Sequence, residues 1–171
     1  MKILIHTCCA DCLLKMADSL KDESVEIEGY FYNPNIHPRS EYLARLKAAQ
    51  KIGEENKIKL IVPDWSPKEW FREIKENKNR CEKCWKLRLG KTFEYAKNNG
   101  FEIVSSTLVT SHYQNKEKIR EIGKNLEKQF GIKFLVPEKV SSELKTSGFY
   151  KQNYCGCCYS LVEAWSEKFR E

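Results

Sequence analysis

Five short apolar runs, each followed by a stretch with helical spacing, constrain this chain more than any other feature of it. The runs are Lys2–His6, Val25–Tyr32, Ile58–Val62, Phe101–Ser106 and Ile132–Val136. The helical stretches that follow are Asp11–Leu20, Ser40–Asn56, Cys81–Asn98, Lys116–Phe130 and Cys158–Phe169. Tyr42, Leu46, Ala49 and Gly53 keep helical period in the second, and Gly100 stops the third. The last places Leu161, Val162, Trp165 and Phe169 on one face, with Cys158 in phase, so Cys158 is expected to pack in the core. Such alternation implies parallel strands joined by right-handed crossovers, hence an open α/β sheet with helices on both faces. No repeat, low-complexity segment or Pro/Gly/Ser linker interrupts it, so one domain is expected over residues 1–171.

In open parallel sheets, ligands sit outside the carboxyl ends of the strands. That rule places the chemistry at His6–Cys12, Tyr32–Pro38 and Ser106–His112. Composition narrows what the chemistry can be. With 41% hydrophobic and 32% charged residues the chain is an ordinary globular one. No apolar run is long enough to span a bilayer. The N-terminus enters a strand directly instead of showing a secretory signal, so a cytoplasmic location is expected. The formal charge of +6 is compatible with a polyanionic partner such as RNA.

Eight cysteines in 171 residues fall below the density of a disulfide scaffold. They cluster as Cys8-Cys9-Ala10-Asp11-Cys12, Cys81-Glu82-Lys83-Cys84 and Cys155-Gly156-Cys157-Cys158. In a cytosolic chain, clustered thiols point to metal ligands or redox groups. Soft thiolates select zinc, copper(I) or iron–sulfur clusters. Structural zinc needs four ligands and usually closes a small loop-rich module, whereas this chain has more thiols than that and a full α/β core. Cys8 and Cys9, being adjacent, project in different directions and can serve different irons. They also stand where a strand passes into a helix, and helix-end amides favour thiolate there. Cys81 and Cys84 open another helix, and Arg88, one turn beyond Cys84, would add a cation that favours anionic sulfur there, or else form a surface ion pair. Cys155 and Cys157 either complete a metal site or act as a dithiol that opens and closes a disulfide. Asp11 either caps its helix or serves as an oxygen ligand to iron.

Other signals are weaker. His112 lies past a strand end, where an acid or a substrate contact would be useful, while His6 ends a buried strand as a hydrogen-bonded core residue. Lys116, Arg120, Lys124 and Lys128 form a basic ridge beside Ile119, Ile122, Leu126 and Phe130, suited to RNA phosphates or simply to water. Tyr30, Tyr32 and Tyr42 either stack on a base or fill the core. No G-x-G-x-x-G, P-loop or H-E-x-x-H motif is present, so no flavin or nicotinamide site is expected and electrons should come from an external donor.

Five segments, in order and spread over nearly the whole chain, resemble the cobalamin-independent epoxyqueuosine reductase family. They are His6-Thr-Cys-Cys-Ala-Asp-Cys12, Tyr32-Asn-Pro-Asn-Ile-His-Pro38, Arg80-Cys-Glu-Lys-Cys-Trp-Lys-Leu-Arg88, Ser106-Thr-Leu-Val-Thr-Ser111 and Tyr150-Lys-Gln-Asn-Tyr-Cys-Gly-Cys157. The resemblance implies the last step of queuosine formation, in which an epoxide on a cyclopentane ring attached to tRNA is reduced to the alkene. It also implies a 4Fe–4S cluster without cobalamin, and a fold related to the adenine-nucleotide alpha-hydrolase group. That group's phosphate loop reads Ser-Gly-Gly-x-Asp-Ser after the first strand, where this chain carries Thr7-Cys-Cys-Ala-Asp-Cys12. Thiols thus stand in place of a phosphate cradle. Asp11 departs from the family, which often has proline there.

Removing the epoxide oxygen as water takes two electrons and protons, and a cluster commonly passes one electron at a time, so the surplus thiols would supply a second redox unit. The assignment is therefore Cys8, Cys9, Cys81 and Cys84 to the cluster. Cys12 and Asp11 are assigned to it or to an additional iron, and Cys155 and Cys157 act as a redox pair or extra ligands. Two other readings stay open: a zinc-stabilised RNA-binding module without catalysis, and an ATP-dependent tRNA thiolation enzyme, against which the missing phosphate loop argues.

Overall fold

The computed structural model describes residues 1–20, 24–75, 78–138, 140, 150 and 154–168. In chain order the elements are β1 (Lys2–His6), α1 (Ala10–Leu20), β2 (Glu26–Tyr30), α2 (Arg39–Glu55), β3 (Lys59–Ile61), α3 (Pro67–Glu73), α4 (Arg80–Asn98), β4 (Ile103–Ser106), α5 (Lys116–Phe130), β5 (Lys133–Phe134) and α6 (Cys158–Lys168). A single turn of 3₁₀ helix, Thr107–Thr110, leaves β4.

The five strands form one all-parallel sheet in the order β3-β2-β1-β4-β5. The chain runs outward from β1 through β2 to β3, then returns to build β4 and β5 on the other side. Right-handed crossovers therefore put α1 and α2, which pack together, on one face and α4 and α5 on the other. This is the doubly wound sheet expected from the alternating pattern. Its winding reverses between β1 and β4, the switch point outside which ligands bind. Central β1 is covered on both faces, which is why Ile3, Leu4 and Ile5 read as an unbroken apolar run.

α5 begins and ends where the expectation put it, and both ends have a cause. Asn115 accepts a hydrogen bond from Lys118 N at 3.0 Å, and Gly131 closes the helix at φ 70°. Gly123 lets α5 lie on the sheet, because a Cβ there would come within 2.2 Å of the Phe134 ring. Two expectations need correction. Helix α3 was not foreseen: with only Trp70 buried in seven residues it shows no periodicity. The expected inward face of α6 is not formed either. Val162 and Trp165 are exposed, Phe169 lies outside the described residues, and Cys158 is only half-buried against Trp70 and Cys84. Spacing over about two turns cannot tell which side of a terminal helix finds a partner. No helix among the described residues is long and apolar enough to cross a membrane.

Candidate functional site

The carboxyl ends of β1 and β4 carry the first thiol group. After His6 the chain turns through Thr7, Cys8 and Cys9 into α1, whose first turn bears Asp11 and Cys12. The Thr107 hydroxyl, on the turn leaving β4, accepts from Cys8 N at 3.0 Å and donates to Cys8 Sγ at 3.2 Å. The turns that leave two adjacent strands thus hold one sulfur between them. Hydrogen bonds from the Cys12 and Cys9 thiols keep Cys8 well below the usual thiol pKa. The same bonds push Cys9 up and, mainly through Cys8, hold Cys12 at about 12.

The second group joins α4 to the segment before α6. Cys81 and Cys84 sit on the first turn of α4, and burial pushes both thiols up, with Arg88 partly opposing at Cys84. They line a small cavity with Cys155, Cys157, Asn35, Trp70, Arg80, Trp85, Arg88 and Gln114. Cys155 Sγ and Cys157 Sγ are 3.7 Å apart, and Ser160 Oγ lies 3.0 Å from the first and 3.4 Å from the second. A hydrogen bond from Cys157 brings Cys155 down to about 6 and raises Cys157 in return.

Long-range polar ties place this second segment. His37 N donates to Gly156 O at 2.8 Å, and the Tyr154 hydroxyl donates to His37 O at 2.8 Å. Buried Arg45 donates to Cys155 O at 3.2 Å and Tyr154 O at 3.4 Å while pairing with Glu41 at 2.6 Å. Gly156 has φ 115°, and a Cβ on it would meet Arg45 Nη1 at 3.0 Å, so glycine is required between the two cysteines.

A second small cavity, lined by Cys8, Cys9, Cys12, Arg45, Leu108, Ser111, Tyr113 and Tyr154, shares Arg88, Gln114 and Cys155 with the first. The eight thiols thus form two neighbouring groups, Cys8/Cys9/Cys12 and Cys81/Cys84/Cys157, with Cys155 common to both cavities; Cys158 stands beside the second. Among the described residues no three His, Cys, Asp or Glu side chains converge as ligands of a single metal ion. A polynuclear iron–sulfur cluster takes its thiolates one per iron, from several directions, and that donor chemistry fits two facing thiol groups. N–H groups around the cavity fit it as well. Trp70 and Arg88 direct hydrogen bonds at the Cys84 sulfur, Arg80 Nε is buried without an acceptor among the described residues, and hydrogen bonds to the sulfurs are a normal part of such centres.

Cys12 also lines a larger groove with Asp11, Lys15, Thr110, Lys116, Arg120, Val136, Pro137 and Glu138. Asp11 pairs with Lys15 at 3.0 Å. Of the basic ridge on α5, only Lys116 and Arg120 reach this groove, whereas Lys124 is exposed and pairs with Glu127 at 2.8 Å, and Lys128 is exposed.

The three histidines separate. His6 is fully buried: Nε2 donates to Tyr32 O at 3.3 Å, which leaves Nδ1 to accept from Ser106 Oγ at 3.1 Å. Burial, then the Arg88 charge, pushes its pKa down to about 3, so it is a neutral structural residue. His37 is held among Trp65, Trp70 and Phe71. His112 is exposed beside Tyr113 and lies in the wall of neither thiol cavity, although Tyr113 and Gln114 do. Tyr30, Tyr32 and Tyr42 are buried in the core. Arg88 is not a surface residue: it is 2% exposed and donates to Asn33 Oδ1 at 2.7 Å. Sequence reasoning missed Asn33, Arg45, Thr107 and Gln114. Asn33 and Thr107 lie inside the Tyr32–Pro38 and Ser106–Ser111 segments and were legible there; Arg45 looks like any helix-surface cation.

The family model for "Epoxyqueuosine reductase QueH" matches residues 3–163. The epoxyqueuosine reductase QueH of Thermotoga maritima is 35% identical over an alignment covering 94% of this chain and 91% of that protein. Its counterpart from Dehalococcoides mccartyi is 34% identical, covering 97% and 96%. A crystal structure from Methanocaldococcus jannaschii, described as a "predicted subunit of tRNA methyltransferase", superimposes with a TM-score of 0.55 at 16% identity, covering 98% of this chain and 76% of that one, and speaks for the fold alone. The match over nearly the whole chain, with the thiols gathered at the switch point, leads to one conclusion: this chain belongs to the epoxyqueuosine reductase QueH family.

Proposed function

We propose that this chain reduces the epoxyqueuosine base of tRNA to queuosine in the cytoplasm, using a 4Fe–4S cluster held by Cys8, Cys9, Cys81 and Cys84. The observation that carries the reading is the pair of thiol cavities that share Cys155 and Arg88 at the switch point of a sheet from this family. When bound, the cluster supplies single electrons at low potential. The overall reaction takes two electrons and two protons, breaks both epoxide C–O bonds, forms the ring alkene and releases water.

The chain's own residues have distinct tasks. Thr107 fixes the Cys8 sulfur from the turn that leaves the neighbouring strand. Cys12, at the junction of groove and thiol cavity, and Asp11, in the groove beside it, serve as further ligands, to the cluster or to an additional iron. Cys155 and Cys157 stand close enough to exchange two electrons through a disulfide or to act as extra ligands. The groove beside Cys12 admits the base, and Lys116 and Arg120 face the phosphates that flank it. Electrons come from an external one-electron donor.

Iron, sulfide and zinc content on protein purified without oxygen, with absorption spectra before and after dithionite, tests the centre. Iron and sulfide near four each and a brown band bleached by reductant are expected, followed by turnover of epoxyqueuosine-containing tRNA without ATP. Stoichiometric zinc with no labile sulfide, even after anaerobic reconstitution, would overturn the proposal in favour of a zinc-stabilised RNA-binding module.

A further inference from the structure

Two guanidinium groups are deeply buried among the described residues, and they are solved differently. Arg45 has a carboxylate partner in Glu41. Arg88, 2% exposed, has no carboxylate within ion-pair distance among the described residues; its guanidinium donates to the neutral amide oxygen of Asn33 and toward the Cys84 sulfur. A buried charge without a counter-charge is strongly unfavourable, so the folded protein must offer an anion there. The surroundings leave one candidate. Arg88 stands in the wall of both thiol cavities, and the groups it shares between them are Gln114 and Cys155. Its position is not accidental either: Asn33, which receives its N–H, itself donates to Thr7 O at 2.8 Å and so ties the guanidinium to the turn that carries Cys8.

We infer that Arg88 is the counter-charge of the sulfur centre and sets its reduction potential. The inference rests on the 4Fe–4S reading above. Each electron accepted from the external donor adds one negative charge to a centre that already carries anionic sulfur. A fixed cation beside it stabilises the reduced form more than the oxidised form, and so raises the potential. In a buried site this attraction is little screened by salt. Arg80, the other cation in the cavity wall, is partly exposed and engaged by Glu163, so it is less able to do the same.

The test compares Arg88→Met, which keeps bulk and removes charge, with Arg88→Lys, which keeps charge and loses the fork. Both are purified without oxygen, and iron and sulfide content and the midpoint potential are measured by mediated dithionite titration. Arg88→Met is expected to retain the centre but to be reduced at least tenfold less favourably, a shift of about 59 mV to more negative potential for one electron. Arg88→Lys is expected to stay within about threefold of the wild type by the same scale. Iron and sulfide in the wild type with an unmoved potential in Arg88→Met overturns this inference alone. Equal shifts in the two variants overturn it as well, since shape and the Asn33 bond would then matter instead of charge. If Arg88→Met loses the centre, Arg88→Lys decides: retention supports the counter-charge, and equal loss refutes it. A wild type without iron or sulfide removes the reading on which the inference stands.

Discussion

The two thiol groups reach the same place by opposite means. Cys8, Cys9 and Cys12 are placed by a central strand, a tight turn and the first turn of α1, with Thr107, on the turn leaving the adjacent strand, gripping Cys8. Cys155 and Cys157 have no strand beneath them. They are held by Arg45 from α2, by the backbone of His37 and by Tyr154, contacts that cross more than a hundred residues of sequence. A sheet fixes position through many cooperative backbone bonds, whereas a cross-linked segment depends on a few side chains. The strand-end group is therefore the rigid part of the site, and the Cys155–Cys157 segment the part that single substitutions can displace.

Serine at one cysteine of each group is the most severe way to break this comparison. Cys8→Ser and Cys84→Ser are each expected to lose cluster iron and sulfide and to reduce turnover beyond the roughly 10–100-fold typical of outer-shell partners. Full iron content and activity in Cys84→Ser would mean that the second group takes no part in the centre. Next in size is Arg45→Met, which leaves Glu41 buried without its partner and unties Cys155. It should cost about 3–5 kcal/mol in urea unfolding, with thiol cross-linking between Cys155 and Cys157 altered. Thr107→Val should cost less, about 1–3 kcal/mol, and should perturb Cys8 alone. If Thr107→Val proves the more damaging of the two, the contrast between a rigid and a tethered half is wrong.

The smallest expected effect separates the two ends of α5. Replacing Lys116 and Arg120 with alanine should lower the slope of log affinity for tRNA against log salt by about 2. The same replacement at Lys124 and Lys128, which lie outside the groove, should leave the slope near the wild-type value. Binding measured across a salt series checks both, and equal effects would show that the groove has no special role.

Much of the architecture was legible in the amino-acid order. The five apolar runs specified the strands, because a parallel strand covered on both faces must be apolar throughout, as Ile3–Ile5 are. The strand-end rule also anticipated where the first thiol group lies, since Cys8 and Cys9 follow β1 and Ser106 precedes the turn that carries Thr107. Short α3 was not legible because seven residues carry too little periodicity, and the outward face of α6 was not because spacing does not say which neighbours a terminal helix finds.

What the sequence determined by itself was the sheet, the family and the chemical class of the donors, all properties of local pattern. Only the tertiary structure decided how those donors divide into two cavities, that Arg45 holds one of them, and that Arg88 lies buried beside both. An arginine on a helix reads the same whether it faces water or a sulfur centre. The difference lies in which distant elements close over it, and that depends on packing between α2, α4 and the segment before α6, which no local pattern encodes.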